Sequence, residues 1–190
     1  MENEDDRCRL PEAILQADVT MKPSIKIGWC SPLEDAPLLR HCGLDFIEVA
    51  LAPLGIESAA GLATAKARVQ ASVLPVEAFN NFLPGDMRVV GPDADIPRFK
   101  VYLAHAAELL AHAAAQIVVY GSGWARNVPE GYERSRAEDE FAESLRLSAD
   151  GLKGTGTTLV IEPLNRKESN IVNSVAEGAA FVRRVNRPEV

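Results

Sequence analysis

Residues 157–165 read TTLVIEPLN, a short β-type run that ends in an acid, a proline and an asparagine. Alternate side chains of a strand share a face, so Val160 and Glu162 are predicted on the same side of this strand. Strands of a parallel barrel are buried on both faces, which predicts Glu162 at the carboxyl end of the strand, inside the rim. A structural ion pair with Arg166 or a neighbouring lysine is the alternative interpretation.

Short β-type runs alternate with longer helical ones along the whole chain from Ile25. Such alternation predicts an α/β fold with a parallel sheet, because each helical crossover returns the chain to the same end of the sheet. The other predicted strands are 25–31, 45–51, 73–80 and 116–122, and the predicted helices are 32–42, 57–70, 98–115, 136–153 and 174–184.

Unit length distinguishes an open doubly wound sheet from part of a closed barrel. Residues 25–190 hold five units of about 33 residues, so eight would need about 265, close to the usual barrel length of about 250. Pro188 ends the last helix, and Val190 is placed as the first residue of a sixth strand. We therefore predict a partial TIM (β/α)8 barrel of about five βα units over residues 25–190, incomplete at its C-terminus. Residues 1–24 are predicted to be a flexible extension.

The amino-acid composition disfavours some classes of binding partner. The 190 residues are 47% hydrophobic and carry a net charge of -7 without a basic cluster, which disfavours nucleic acid and anionic membrane surfaces. There is no run of 18 apolar residues and no signal-peptide pattern. The three cysteines, Cys8, Cys30 and Cys42, lack C-x-x-C spacing, so reduced thiols and a cytoplasmic location are expected.

Three segments carry a resemblance to a known family. IEPLNRKESN (161–170) resembles the strand-five signature of the xylose-isomerase-like barrels, in particular the keto-sugar 3-epimerases and related sugar isomerases. GSGWARNVPEGY (121–132) and FNNFLPG (79–85) are similar to the strand-four and strand-three loops of that group. The resemblance covers residues 25–190 and implies a metal-dependent sugar isomerase or epimerase that acts on a small sugar or hydroxy-ketone.

The resemblance also implies roles for single residues. The acid matching Glu162 binds a divalent metal, Mn, Co or Mg, and takes part in moving the substrate proton. The acid matching Glu168 hydrogen-bonds the sugar near its carbonyl, and Asn80, Ser122 and Trp124 on the two loops are expected to bind substrate. A hard cation of this kind would chelate a ketose and stabilise the enediolate formed when the intervening C–H loses its proton.

The resemblance alone does not predict that this chain is active. The family's other three metal ligands come from strands six, seven and eight, and five strands are predicted here. Glu162 alone is not a metal site, so tight metal binding is not expected, and the open sheet edges favour self-association. An inactive remnant and a half-barrel that needs a partner chain are alternatives. A flavodoxin-like binding module is another, although WCSPLEDAP supplies only Ser31 to a ligand loop. Three histidines and a net charge of -7 suit an abasic-site nuclease badly.

Four further candidates have plainer interpretations. Glu48 on strand two is expected to play a supporting or structural role. His105, Glu108 and His112 lie at i, i+3 and i+7, but they flank the apolar stripe of an ordinary amphipathic helix. Cys30 is expected to be a small buried hydrophobe. Trp124 and Arg126 either close over a sugar or belong to a plain surface loop.

Overall fold

One sheet of five parallel strands organises residues 25–190, the part of the chain that the structure, a computed structural model, describes. The strands are β1 (Gly28–Cys30), β2 (Phe46–Ala50), β3 (Val76–Asn80), β4 (Ile117–Tyr120) and β5 (Thr158–Ile161). The helices are α1 (Ala36–His41), α2 (Ala59–Gln70), α3 (Ile96–Ala113), α4 (Gly123–Arg126), α5 (Arg134–Leu152) and α6 (Val175–Val185). The prediction for residues 1–24 lies outside the described residues.

The strands follow one another in chain order, β1-β2-β3-β4-β5, and every pair is parallel. This order confirms the predicted arc of a barrel, because a flavodoxin-like sheet would place β1 between β2 and β3. Within residues 25–190 the sheet does not close on itself. The carboxyl ends of all five strands consequently lie along one edge.

Side-chain caps fix where the long helices begin. Ser58 accepts a hydrogen bond from the N–H of Gly61 at 3.1 Å and starts α2. Asp95 does the same for α3 by accepting from the N–H of Arg98 at 3.0 Å. Ser174 was predicted to start the last helix, and it accepts from the N–H of Glu177 at 3.2 Å. Each cap satisfies one of the backbone donors that a helix start leaves unpaired.

The hydrophobic core lies between the outer face of the sheet and the helices. A chain of edge-to-face aromatic contacts runs through it, with ring centroids 5.3 Å apart for Phe82 and Tyr120, 5.5 Å for Tyr120 and Phe141, and 5.0 Å for Phe141 and Phe181. Such contacts add to the stabilisation that burial of apolar area gives. The core therefore connects β4 to both α5 and α6.

The inner face of the sheet is open, so the expectation that both strand faces are buried was wrong for this side. Ile117 and Val160 are each 40% exposed on it. Cys30 is likewise exposed instead of buried. The physical reason is that nothing within residues 25–190 covers this face.

The loop after β4 also differs from its prediction, because residues 123–126 form the short helix α4. Four residues are too few to show helical periodicity in a sequence. None of the helices in the described part of the chain is long and apolar enough to cross a membrane.

Candidate functional site

An open cavity of about 660 Å³ lies at the carboxyl ends of β3, β4 and β5. Five of the residues that the sequence analysis singled out for the site line it: Asn80, Ser122, Trp124, Glu162 and Glu168. Parallel strands bring their carboxyl ends to one edge, which is why residues far apart in the chain meet there.

Glu162 directly follows the last residue of β5 and faces the cavity. Its side chain is exposed, so the expected burial inside a closed rim was wrong, and an exposed carboxylate needs no compensating cation. Within residues 25–190 neither Arg166 nor a lysine forms an ion pair with it. The space for this side chain comes from Gly121, where a β-carbon would overlap Oε2 of Glu162.

Arg126 is fully buried and does not line the cavity, so the interpretation that it closes over a sugar was wrong. Its guanidinium donates to the backbone carbonyl of Tyr120 at 3.1 Å and to that of Glu162 at 2.6 Å. The guanidinium carbon also lies 5.5 Å from the centroid of the Phe141 ring. Burial lowers the pKa of Arg126. Arg126 therefore holds together the carboxyl ends of β4 and β5.

Trp124 forms a fixed part of the cavity wall. Its indole Nε1 donates to the carbonyl of Pro84 at 2.9 Å, and its own carbonyl accepts a hydrogen bond from Arg88. Two contacts at opposite ends of the residue leave little freedom for a closing motion. An aromatic ring held in this way offers an apolar surface to the C–H groups of a ligand.

Ser122 and Asn80 are also held by neighbours. The Ser122 hydroxyl accepts a hydrogen bond from the N–H of Leu83 at 3.0 Å and is almost completely buried. Asn80 Nδ2 donates to Oε1 of Glu48 at 2.6 Å and to Sγ of Cys30 at 2.8 Å. Glu48 itself lines the cavity, so its contact with Asn80 belongs to the site.

Two asparagines join the loops that follow β4 and β5. Asn127 Oδ1 accepts from the N–H of Asn170 at 3.0 Å, and Asn170 Oδ1 accepts from the N–H of Val128 at 2.9 Å. Asn127 Nδ2 also donates to the carbonyl of Glu168 at 3.3 Å, and a β-carbon at Gly123 would overlap that same carbonyl. Sequence reasoning missed these contacts, although Gly123, Asn127 and Asn170 all stand inside the motifs it quoted.

Glu140 on α5 connects the loops that follow β3 and β4. Its carboxylate accepts from the N–H of Gly91 at 2.8 Å and from the hydroxyl of Tyr132 at 2.6 Å. Burial by itself would raise the pKa of Glu140, but hydrogen bonds from Gly91, Tyr132 and Arg136 outweigh it and lower the pKa. The rim formed by the three loops is thus cross-linked at several points.

The described residues do not fit a complete metal site. Within residues 25–190 no group of three His, Cys, Asp or Glu side chains is placed to hold a metal ion. His105 is engaged through Nδ1 with the carbonyl of Ile56 at 2.7 Å, and Glu108 pairs with Lys66. Glu162 is the one described residue for which the resemblance implied a metal.

A model of the family described as xylose isomerase-like TIM barrel matches residues 37–190. The chain belongs to this family. No curated protein sequence matches it significantly. For this xylose isomerase-like chain, family membership agrees with the strand order and with the position of the cavity at the carboxyl ends of the strands.

Solved structures share the arc of the barrel. D-psicose 3-epimerase with D-tagatose from Clostridium cellulolyticum H10 matches with a TM-score of 0.71 at 19% identity, over 87% of this chain and 62% of that one. The 3-keto-D-glucoside 4-epimerase of E. coli matches with a TM-score of 0.70 at 19% identity, over 88% and 66%. D-allulose 3-epimerase from Methylomonas sp. in complex with D-allulose matches with a TM-score of 0.66 at 22% identity, over 87% and 61%.

The chain therefore spans about two thirds or less of the length of these three structures. A protein described as AP endonuclease, family 2, from Brucella melitensis also matches, with a TM-score of 0.66 at 23% identity, over 87% of this chain and 67% of that one. At such identities the likeness shows the fold.

Proposed function

We propose that this chain is of the sugar isomerase and epimerase lineage and supplies one wall of a site that binds a small sugar. The observation that carries the proposal is the convergence of Glu162, Glu168, Trp124, Asn80 and Ser122 on one open cavity. Three of the four structures compared above are described as epimerases. Two of these are described with a ketose, D-tagatose in one and D-allulose in the other. The cavity's place at the carboxyl edge of the sheet is where barrel enzymes carry out chemistry.

Glu162 is the group proposed to move the proton. Its carboxylate would accept the proton from the C–H beside a ketose carbonyl, while the electron pair of that bond moves toward the carbonyl oxygen and forms an enediolate. Delivery of a proton to the opposite face of the same carbon would then complete an epimerisation, whereas its return by Glu162 to the original face would restore the starting sugar. Glu168 would hold the sugar near its carbonyl, and the Trp124 ring would support its apolar side.

The carboxylates favour an uncharged ligand. Glu48, Glu162 and Glu168 all line the cavity, and no lysine or arginine of the described residues does so. A phosphate group at this wall would be repelled by the three carboxylates, and no cationic side chain of the described lining would compensate the repulsion. We therefore propose a free sugar or hydroxy-ketone, handled by a protein of the cytoplasm.

A half-barrel that works only with a partner chain is the second candidate, and one observation favours it. The inner face of the sheet is open within residues 25–190, with Ile117 and Val160 each 40% exposed. A partner that covers this face would also close the cavity. Sugar binding by the chain alone is then expected to be weak.

Binding of D-fructose tests the proposal. The chain has two tryptophans, so the indole N–H of Trp124 in the cavity and that of Trp29 on β1 give two separate NMR signals. Titration should shift the Trp124 signal with saturation at millimolar concentrations and leave Trp29 unchanged. Glu162→Gln should weaken binding several-fold, whereas the control Glu143→Gln on the exposed side of α5 should not. An unshifted Trp124 signal would remove the basis of the proposal.

A further inference from the structure

Glu48 lies in the middle of β2 and lines the same cavity as Glu162. Its neighbours in the strand, Ile47 and Val49, are buried in the core on the outer face of the sheet. Because successive side chains of a strand point to opposite faces, the Glu48 side chain lies on the inner face, toward the cavity. The sequence suggested only a supporting or structural role for this residue.

The two oxygens of the Glu48 carboxylate differ in what they contact. Oε1 accepts a hydrogen bond from Nδ2 of Asn80 at 2.6 Å. Within residues 25–190 Oε2 accepts no hydrogen bond, and the protein does not enclose it. The residue is only partly buried, so Oε2 is accessible from the cavity. One oxygen is therefore fixed by the protein, and the other is free to accept from a ligand.

Asn80 on β3 keeps the Glu48 carboxylate in this orientation. Its Nδ2 donates to two acceptors, Oε1 of Glu48 and, at 2.8 Å, Sγ of Cys30. Cys30 and Glu48 are paired residues of β1 and β2, so one amide contacts both of those strands. With both hydrogens of Nδ2 engaged, Asn80 has no donor left for a sugar. The supporting role that the sequence suggested for Glu48 therefore suits Asn80.

Glu48 and Glu162 lie at different depths of the cavity. Glu162 follows the last residue of β5, whereas Glu48 precedes the last residue of β2 by two positions. β3 and β4 lie between these strands. Neighbouring strands are about 4.8 Å apart, which separates β2 from β5 by roughly 14 Å along the sheet. Carboxylates placed in this way contact different carbons of one ligand, with Glu162 near the rim and Glu48 near the floor.

We infer that Glu48 is a specificity-determining residue whose Oε2 accepts a hydrogen bond from a sugar hydroxyl distant from the carbonyl, and that Asn80 is the positioning residue that orients it. The inference rests on the proposed function and narrows its substrate class. An ionised carboxylate accepts but does not donate, so its partner is a hydroxyl. A ligand must reach from Glu162 to Glu48, which selects a sugar such as D-fructose over a short hydroxy-ketone such as dihydroxyacetone.

Glu48→Gln tests the contact without removing its support. The glutamine oxygen can still accept from Asn80, while an NH2 group replaces Oε2. Binding of D-fructose, followed on the Trp124 indole signal, should weaken about fivefold, because a charge-assisted hydrogen bond is lost. Binding of dihydroxyacetone should change by less than about twofold. Glu77→Gln is the matched control, since Glu77 is a partly buried glutamate of β3 that pairs with Lys26 and does not line the cavity.

The carboxyl carbon of Glu48 reports the contact directly. In protein labelled with ¹³C at the glutamate side-chain carboxyl groups, the NMR signal that is missing from Glu48→Gln identifies Glu48. Glu48→Asp gives the same assignment if the glutamine variant fails to fold. D-fructose should shift this signal with the same midpoint as the Trp124 indole signal. The corresponding signal of Glu77 should not move.

A double-mutant cycle tests the role of Asn80. Asn80→Ala removes the donor to Oε1 and should weaken D-fructose binding about threefold. Because Asn80 acts through Glu48, the variant that combines Asn80→Ala with Glu48→Gln should bind no more weakly than Glu48→Gln alone. Additive losses would show that Asn80 contacts the sugar itself and would overturn its positioning role.

The outcomes separate this inference from the proposed function. If D-fructose shifts the Trp124 signal but not the Glu48 carbon signal, or if Glu48→Gln binds as the parent does, the inference is overturned and the proposed site stands. If dihydroxyacetone loses as much affinity as D-fructose, Glu48 does not determine specificity. If the parent chain shows no saturable shift of Trp124, the proposed function and the inference fail together.

Discussion

Gly121 lies directly beside the Glu162 carboxylate, so close that a β-carbon at position 121 would overlap Oε2. Gly123, two residues later, lies just as close to the backbone carbonyl of Glu168. One neighbour is the end of a flexible side chain and the other is backbone. The two glycines are therefore expected to respond differently to the same substitution.

Gly121→Ala should displace the Glu162 side chain and weaken sugar binding, with a change in the free energy of unfolding below about 1 kcal/mol. Gly123→Ala should lower the free energy of unfolding by about 2 kcal/mol or more, because backbone must shift. Chemical denaturation and the D-fructose titration measure the two effects. Equal destabilisation by both variants would show that Glu162 cannot move aside.

Arg126 should tolerate lysine poorly. Lysine keeps a buried charge but loses the fork that reaches the carbonyls of Tyr120 and Glu162 together. Arg126→Lys should lower the free energy of unfolding by about 2–3 kcal/mol, and more than Arg126→Met, which removes the charge. The control Arg146→Met, at an exposed pair with Glu143, should change it by less than about 0.5 kcal/mol. Greater damage from methionine would mean that the hydrogen bonds outweigh the cost of burying the charge.

Glu140 should contribute stability that depends on pH. Its pKa in the folded protein is lowered from an ordinary value of 4.5, so its contribution is fully present above that value and is lost as the pH falls through the folded pKa. Glu140→Gln should cost about 1–2 kcal/mol at pH 7, and the difference from the parent should shrink below about pH 4. Urea denaturation across this pH range measures it, with Glu143→Gln as the exposed control. A difference that is independent of pH would contradict the assignment.

The 190-residue chain by itself should neither bind Mn²⁺ tightly nor epimerise a ketose. A hard cation needs about six ligands, and the described residues place no three protein ligands together. Calorimetric titration of Mn²⁺ and NMR detection of deuterium exchange beside the ketose carbonyl test the two parts. Micromolar affinity with exchange that disappears in Glu162→Gln would prove this prediction wrong and indicate that a partner subunit completes the site.

Self-association through the edge of β1 is expected. Trp29 is 61% exposed on this strand, and in the described part of the chain the strand has one neighbour, β2. Exposed, unpaired edges recruit other strands, and a charge on the edge opposes this. Sedimentation velocity should show species larger than a monomer, and Trp29→Lys should shift them toward the monomer. Val175→Lys, at an exposed valine on α6, is the control that should leave the distribution unchanged.

Strand order and the position of Glu162 at the carboxyl edge of the sheet were predictable because both follow from local rules. Period-two runs separated by helices dictate parallel strands, and parallel strands gather their carboxyl ends. The burial of Arg126 was not predictable in this way, because it depends on Glu162, which is 36 positions away, and on the Phe141 ring. A polar residue in a polar loop carries no sequence signal of such contacts.

The solvent exposure of single side chains was predicted less well than their position along the strands. Glu162 was assigned to a covered interior because a closed barrel covers both faces of every strand, and Cys30 was expected to be a small buried hydrophobe. Covering is a property of the whole sheet, and the described sheet is open. The same residues keep their place at the carboxyl edge, since that depends only on the direction of the strand.

Three hydrogen bonds hold the loops around the cavity in place in the folded protein: Trp124 to Pro84, Ser122 to Leu83 and Asn127 to Asn170. The conformational entropy of these loops is therefore lost when the chain folds. Loops that are ordered on folding have no freedom left to lose when a ligand arrives. Hydrogen exchange at their backbone amides should therefore be as slow without sugar as with it.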